Sequence, residues 1–102
     1  MERLFVYETL LLKAVRIDAL GHDVSSVKRE PAHITPFKEV WVKDSNNDRW
    51  PSLIPEENSV VTGQVFSLST SYLAQLDSWE ANYERVELVS NKGPVWVYVL
   101  GT

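Results

Sequence analysis

The chain has no cysteine, which excludes disulfides, thiolate nucleophiles and cysteine-ligated zinc and fits a reducing compartment. Glycine is scarce, four in 102 residues, and no glycine-rich phosphate loop is formed. No apolar run approaches the roughly 18 residues of a membrane-spanning helix. The N-terminus also lacks the basic, apolar and small-residue order of a signal peptide. Lysine and arginine number 10 against 14 acids, for a net charge of −4, and form no cluster. A nucleic-acid binder would need a basic stripe. The expectation is a cytoplasmic protein with no nucleic-acid partner, no membrane partner and no obligate protein partner in evidence.

The hydrophobic fraction of 44% and the charged fraction of 24% are those of an ordinary folded domain. The length suits one domain, residues 1–102, around a single core. Four Trp, four Tyr and three Phe supply large apolar surfaces for a small core or a lined pocket. No internal repeat, low-complexity tract or linker interrupts the chain.

Leu4, Phe5, Val6 and Tyr7 form a short apolar run without alternation, which predicts a strand buried on both faces. Residues 10–20 read as a helix or helical turns, with Leu11, Val15 and Leu20 inward and Gly21 as C-terminal cap. Residues 22–31 are polar, end in proline and read as a loop. Residues 34–42 carry β-formers, with Pro36 weakening the early part. Residues 44–49 are turn material, and Pro51 and Pro55 bracket a short extended piece. Residues 60–68 read as a strand, in which Gly63 suits a close backbone or ligand approach. Ser69 or Thr70 can cap the next helix, where Tyr72, Leu76 and Trp79 share a face flanked by Leu73 and Glu80 marks the end. Residues 83–89 and 95–100 read as two strands joined by Ser90-Asn91-Lys92-Gly93-Pro94. The last is apolar on both faces, as in a covered sheet or a barrel.

Other motifs fail on inspection. Asp44-Ser45-Asn46-Asn47-Asp48 imitates the start of a calcium loop, but Arg49 and Pro55 occupy the glycine and closing glutamate positions. His22 and His33 lack ligand spacing and read as loop or surface histidines, so no metal is expected. No serine sits in a nucleophile elbow.

Two short motifs carry a resemblance: Phe5-Val6-Tyr7-Glu8-Thr9-Leu10-Leu11, and Leu76-Asp77-Ser78-Trp79-Glu80-Ala81-Asn82-Tyr83-Glu84-Arg85. Between them lie Trp50-Pro51-Ser52-Leu53-Ile54-Pro55 and Val61-Thr62-Gly63-Gln64-Val65-Phe66. In this order the chain resembles the γ-glutamylcyclotransferase-like family, which includes the AIG2-like proteins, from Phe5 to Tyr98. The resemblance implies an α+β fold, a small mixed β-barrel with flanking short helices and an enclosed pocket. The implied reaction is cyclisation of a γ-glutamyl amine or peptide to 5-oxoproline with release of the amine. It implies no cofactor, and a small-molecule γ-glutamyl substrate as partner. The chain ends soon after Tyr98, so no C-terminal lid is expected.

In that reaction the substrate's α-amine is the nucleophile, so geometry matters most and is worth several kcal/mol. One carboxyl group can remove a proton from the amine and return it to the leaving nitrogen. By resemblance Glu80 is that group. A partly apolar wall beside Trp79, or the negative end of the helix dipole, would raise its pKa. The bland alternative is a solvated glutamate at a helix terminus.

The resemblance further implies substrate binding by the turn Val6, Tyr7, Glu8, Thr9, Leu10 and Leu11, through backbone N–H groups around an anion. It also implies binding by Tyr83 and Tyr98, each of which reads equally as a packed strand aromatic. Arg85 shares a strand face with Tyr83 and suits a carboxylate partner, structural or ligand. Glu8 departs from the family, which has glycine in a Tyr-Gly-Thr-Leu or Tyr-Gly-Ser-Leu turn. At positive φ a non-glycine residue costs about 1–2 kcal/mol. A carboxylate about 6 Å from the substrate's would cost roughly 3 kcal/mol at an effective dielectric of about 20, or about a hundredfold in affinity. Glu8 therefore points away from the pocket, or the ligand differs, or the domain is a catalytically weak or inactive small-molecule binder.

Overall fold

The computed structural model describes residues 1–7, 28–43, 45–80 and 82–100. Among these are seven strands and one helix: β1 (Glu2–Val6), β2 (Arg29–Ile34), β3 (Phe37–Lys43), β4 (Arg49–Pro55), β5 (Val61–Leu68), α1 (Thr70–Trp79), β6 (Tyr83–Ser90) and β7 (Gly93–Leu100). The chain is thus mostly β-sheet with one helix. The helix expected over residues 10–20 lies outside the described residues.

Five strands form one sheet in the order β1-β5-β2-β6-β7, and the order closes on itself. β5 runs antiparallel to both β1 and β2. β6 and β7 form a full hairpin from Tyr83↔Leu100 to Ser90↔Gly93. Two short contacts complete the ring, the antiparallel Ile34↔Ser90 of β2 and β6 and the parallel Leu4↔Trp96 of β1 and β7. β3 and β4 make a separate hairpin.

The first strand is buried on both faces, as its unbroken apolar run predicts. Phe5 and Tyr7 join one cluster with Ala32, Ile34, Leu53, Val61, Val65, Val95 and Val97. All five strands contribute there, since Leu88 of β6 packs against it, so this cluster fills the inside of the ring. Leu4 and Val6 face the other way, into a cluster with Phe66, Leu68, Tyr98 and the helix residues Leu73 and Leu76. β7 divides alike, Val95 and Val97 inward and Trp96 and Tyr98 toward the helix side.

Several local readings need correction. Arg29–Ile34 is a strand, although residues 22–31 read as loop; His33, read as a loop or surface histidine, is exposed on that strand. Pro31 is tolerated there because β2 meets β6 only at Ile34, so the missing N–H leaves no ladder bond unmade. The β-forming run at 34–42 is split by a turn at Thr35 and Pro36. In α1 the buried residues are Leu73 and Leu76, whereas Trp79 is 45% exposed. Gly63 does serve a close backbone approach: a Cβ there would collide with the Val6 carbonyl oxygen and lie 2.9 Å from the Phe5 ring.

Candidate active site

Ser69 starts α1, its side chain accepting a hydrogen bond from the Tyr72 N–H, which satisfies a donor the helix leaves unpaired. Leu73 and Leu76 then seat one stripe against Leu4, Val6, Phe66 and Leu68. That seating sets the helix rotation, and residues three apart share a face, so Asp77 and Glu80 lie together. The helix stops at Glu80, whose N–H donates to the Leu76 carbonyl at 2.7 Å. The Glu80 carbonyl accepts the Tyr83 N–H at 2.9 Å. This tight junction fixes Glu80 between the helix and the start of β6.

Glu80 lines a cleft at one end of the strand ring. β1 contributes Phe5, Val6 and the following Tyr7; β4 contributes Pro51; β6 and β7 contribute Tyr83 and Tyr98. The cleft holds about 300 Å³ of empty space, its open mouth included. The hairpin β3–β4 reaches this end through β4. Tyr83 Oη donates to the Pro51 carbonyl at 2.8 Å, and the Leu100 N–H donates to Ser52 Oγ at 3.0 Å.

Glu80 is one of three polar residues buried among those described, at 9% exposure. Burial pushes its carboxyl from 4.5 up to about 7, because a charge loses solvation in an apolar wall. The phenols around it keep their protons. Burial, with the Glu80 charge adding, pushes Tyr83 up to about 12. Burial first, then the hydrogen bond to Asp77, raises Tyr98 far above the ordinary phenol range.

Each of those phenol protons is committed to a protein acceptor. Tyr7 Oη donates to the Tyr98 carbonyl at 2.6 Å, Tyr83 to Pro51, and Tyr98 to Asp77 Oδ1 at 2.7 Å. A phenol oxygen that has donated still has acceptor capacity. Tyr83 and Tyr98 therefore offer lone pairs beside a carboxyl group, a setting matched to an amine that must give up a proton.

Val6, Tyr7, Glu80, Tyr83 and Tyr98, chosen on sequence, converge on this cleft. Glu8, Thr9, Leu10 and Leu11 lie outside the described residues. Arg85 has a structural partner: its Nε and a terminal nitrogen reach the two oxygens of Asp77 at 3.0 and 3.1 Å. Its guanidinium also lies 4.4 Å from the centre of the Trp96 ring. Sequence reasoning missed Asp77 and the wall residues Phe5 and Pro51. A signal for Asp77 existed, since it lies one helical turn before Glu80 and a cation follows at Arg85. Among the described residues no three His, Asp or Glu side chains gather in a metal-binding group, and no helix is long and apolar enough to cross a membrane.

The sequence matches the family model described as gamma-glutamyl cyclotransferase, AIG2-like, over residues 4–102. No curated protein matches the chain. Among solved structures, one of an Arabidopsis thaliana protein is similar with a TM-score of 0.75 at 23% identity, over 97% of this chain and 61% of the other. This chain thus spans about three fifths of that protein's structure. A gamma-glutamyl cyclotransferase is similar with a TM-score of 0.73 at 16% identity, over 99% of this chain and 67% of the other. A Pyrococcus horikoshii protein is similar with a TM-score of 0.74 at 13% identity, over 100% of this chain and 80% of the other. At such identities the likeness is one of fold.

Proposed function

The chain belongs to the gamma-glutamyl cyclotransferase, AIG2-like family, and on that premise we propose that it cyclises a γ-glutamyl amine or peptide to 5-oxoproline and releases the amine. The observation that carries this reading is Glu80, a buried carboxyl held near pKa 7 in a cleft ringed by Tyr7, Tyr83 and Tyr98. A group with its pKa near the working pH serves as both base and acid. The closed strand ring is read as a small mixed barrel that holds this cleft at one end, in a cytoplasmic enzyme without a cofactor.

The substrate enters with its glutamyl part in the cleft. Its α-ammonium gives a proton to the Glu80 carboxylate, with Tyr83 and Tyr98 oxygens accepting from the remaining N–H groups. The freed amine attacks the γ-carbonyl carbon, forming the ring C–N bond and a tetrahedral oxyanion. Collapse breaks the bond to the leaving nitrogen, which takes the proton from Glu80. The ring nitrogen, cationic after the attack, gives its second proton to the ionised Glu80, which passes it to the released amine; the lactam keeps one N–H, the amine leaves as an ammonium ion, and Glu80 ends ionised as it began. The segment continuing from Tyr7, Glu8 to Leu11, is proposed to bind the glutamyl end through its backbone N–H groups.

The test is 5-oxoproline formation from a panel of γ-glutamyl amines, γ-glutamyl dipeptides and glutathione, with Glu80→Gln run beside the wild type. Product from the wild type alone supports the reading. Equal product from both removes Glu80 from the chemistry. No product across the panel turns the reading to the one Glu8 favours, a binder that keeps the pocket without turnover.

A further inference from the structure

A second hollow adjoins the Glu80 cleft. Its own walls are Trp41 of β3, Arg49 and Trp50 of β4 and Trp79 at the end of α1. It shares Pro51, Glu80 and Tyr83 with the cleft, so the two meet at the carboxyl group as a common wall. It holds about 500 Å³ of empty space, mouth included. Neither hydrophobic cluster contains any of the three tryptophans. Trp41 and Trp79 remain 53% and 45% exposed. Three of the four tryptophans in the chain thus border one open hollow instead of filling the core. Arg49 forms no ion pair among the described residues.

We propose that this hollow is the leaving-group subsite, and that it selects an aromatic amine bearing a carboxylate. The substrate class is then a γ-glutamyl dipeptide whose second residue is aromatic. The inference rests on the cyclotransferase reading above. Glu80 stands on the boundary between the two spaces, so the scissile bond lies there and the group beyond it projects into the hollow. Indole faces attract an aromatic ring, with a preference for offset or edge contacts. The Arg49 guanidinium supplies a fork for a carboxylate. A cationic amine would also be drawn to indole faces, but it would meet the positive charge of Arg49.

The experiment compares kcat/KM for γ-glutamyl-phenylalanine, γ-glutamyl-alanine and γ-glutamyl-putrescine by 5-oxoproline release. It also measures binding of free phenylalanine by tryptophan fluorescence. The phenylalanine substrate is expected to exceed the alanine one about tenfold. Trp41→Ala should lower that ratio about fivefold through KM, and Arg49→Gln should raise KM about fivefold for both dipeptides, which share the carboxylate, but not for the putrescine amide, with kcat for the phenylalanine substrate held. Equal kcat/KM for all three, or preference for the putrescine amide, would overturn the subsite and leave the cyclotransferase standing. No 5-oxoproline from any substrate would sink the cyclotransferase. In that case saturable phenylalanine binding that Trp41→Ala abolishes would retain an aromatic-acid site, and absence of binding would overturn that as well.

Discussion

Tyr98 Oη donates a 2.7 Å hydrogen bond to Asp77 Oδ1. That carboxylate also takes Arg85 on both oxygens, so the last strand, the helix and β6 are tied together one helical turn before Glu80. The bond commits the Tyr98 proton to Asp77 instead of to Glu80. The Asp77 group is therefore the clamp that holds the junction on which Glu80 sits.

Tyr98→Phe deletes this bond while Arg85 still partners Asp77. The cost should be about 1 kcal/mol in urea unfolding. Asp77→Ala removes both partners and should cost more, about 2 kcal/mol, because a part-buried guanidinium loses its counter-charge. Equal costs for the two variants would show that Arg85 contributes nothing.

Glu80 makes stability depend on pH in a stated direction. Its folded pKa of about 7 lies above the ordinary 4.5, so the folded state binds a proton that the unfolded state has lost. The contribution is complete below 4.5 and is lost as pH rises through about 7. With allowance for solvent at the cleft mouth, the loss is on the order of 2 kcal/mol. Glu80→Gln should flatten urea-unfolding stability across that window. A profile identical to wild type would show that the carboxyl is not held in its neutral form.

Gly63→Ala places a methyl group against the Val6 carbonyl and the Phe5 ring. Both residues line the cleft, and backbone cannot yield as a flexible side chain would. The variant should lose about 2–3 kcal/mol of stability and should weaken catalysis with it. Thermal unfolding would decide, and an unchanged midpoint would mean that β1 and β5 slide apart without cost.

Glu8→Gly should tighten binding of γ-glutamyl compounds, by up to about a hundredfold where the Glu8 charge faces the ligand carboxylate. Titration calorimetry reads this directly. An unchanged Kd would place that charge outside the pocket.

Much of the architecture was legible because period and sign survive in one dimension. The unbroken run from Leu4 to Tyr7 declared a strand covered on both sides, and Trp96 and Tyr98 alternating with Val95 and Val97 declared the last one. Glu80 and the tyrosines were legible as a motif in register. The strand at Arg29–Ile34 was not, since a polar proline-bearing segment acquires strand character only when β5 is beside it. Trp79 reads as core on helical spacing and instead borders a hollow, because Leu73 and Leu76 already fill the contact with β1 and β5.

Residue order alone determined the alternating and doubly apolar strands, a helix cap at Ser69 or Thr70, the helix end at Glu80 and the family. These depend on neighbours within a few positions or on a pattern that survives along the chain. Only the tertiary structure decided that Glu80 is buried and lifted to about 7. It alone decided that Asp77 joins Tyr98 to Arg85, and that Trp41, Trp50 and Trp79 meet at one edge of the cleft. Desolvation, hydrogen-bond partnership and convergence of side chains from distant strands are properties of distances in space, and sequence spacing does not carry those distances.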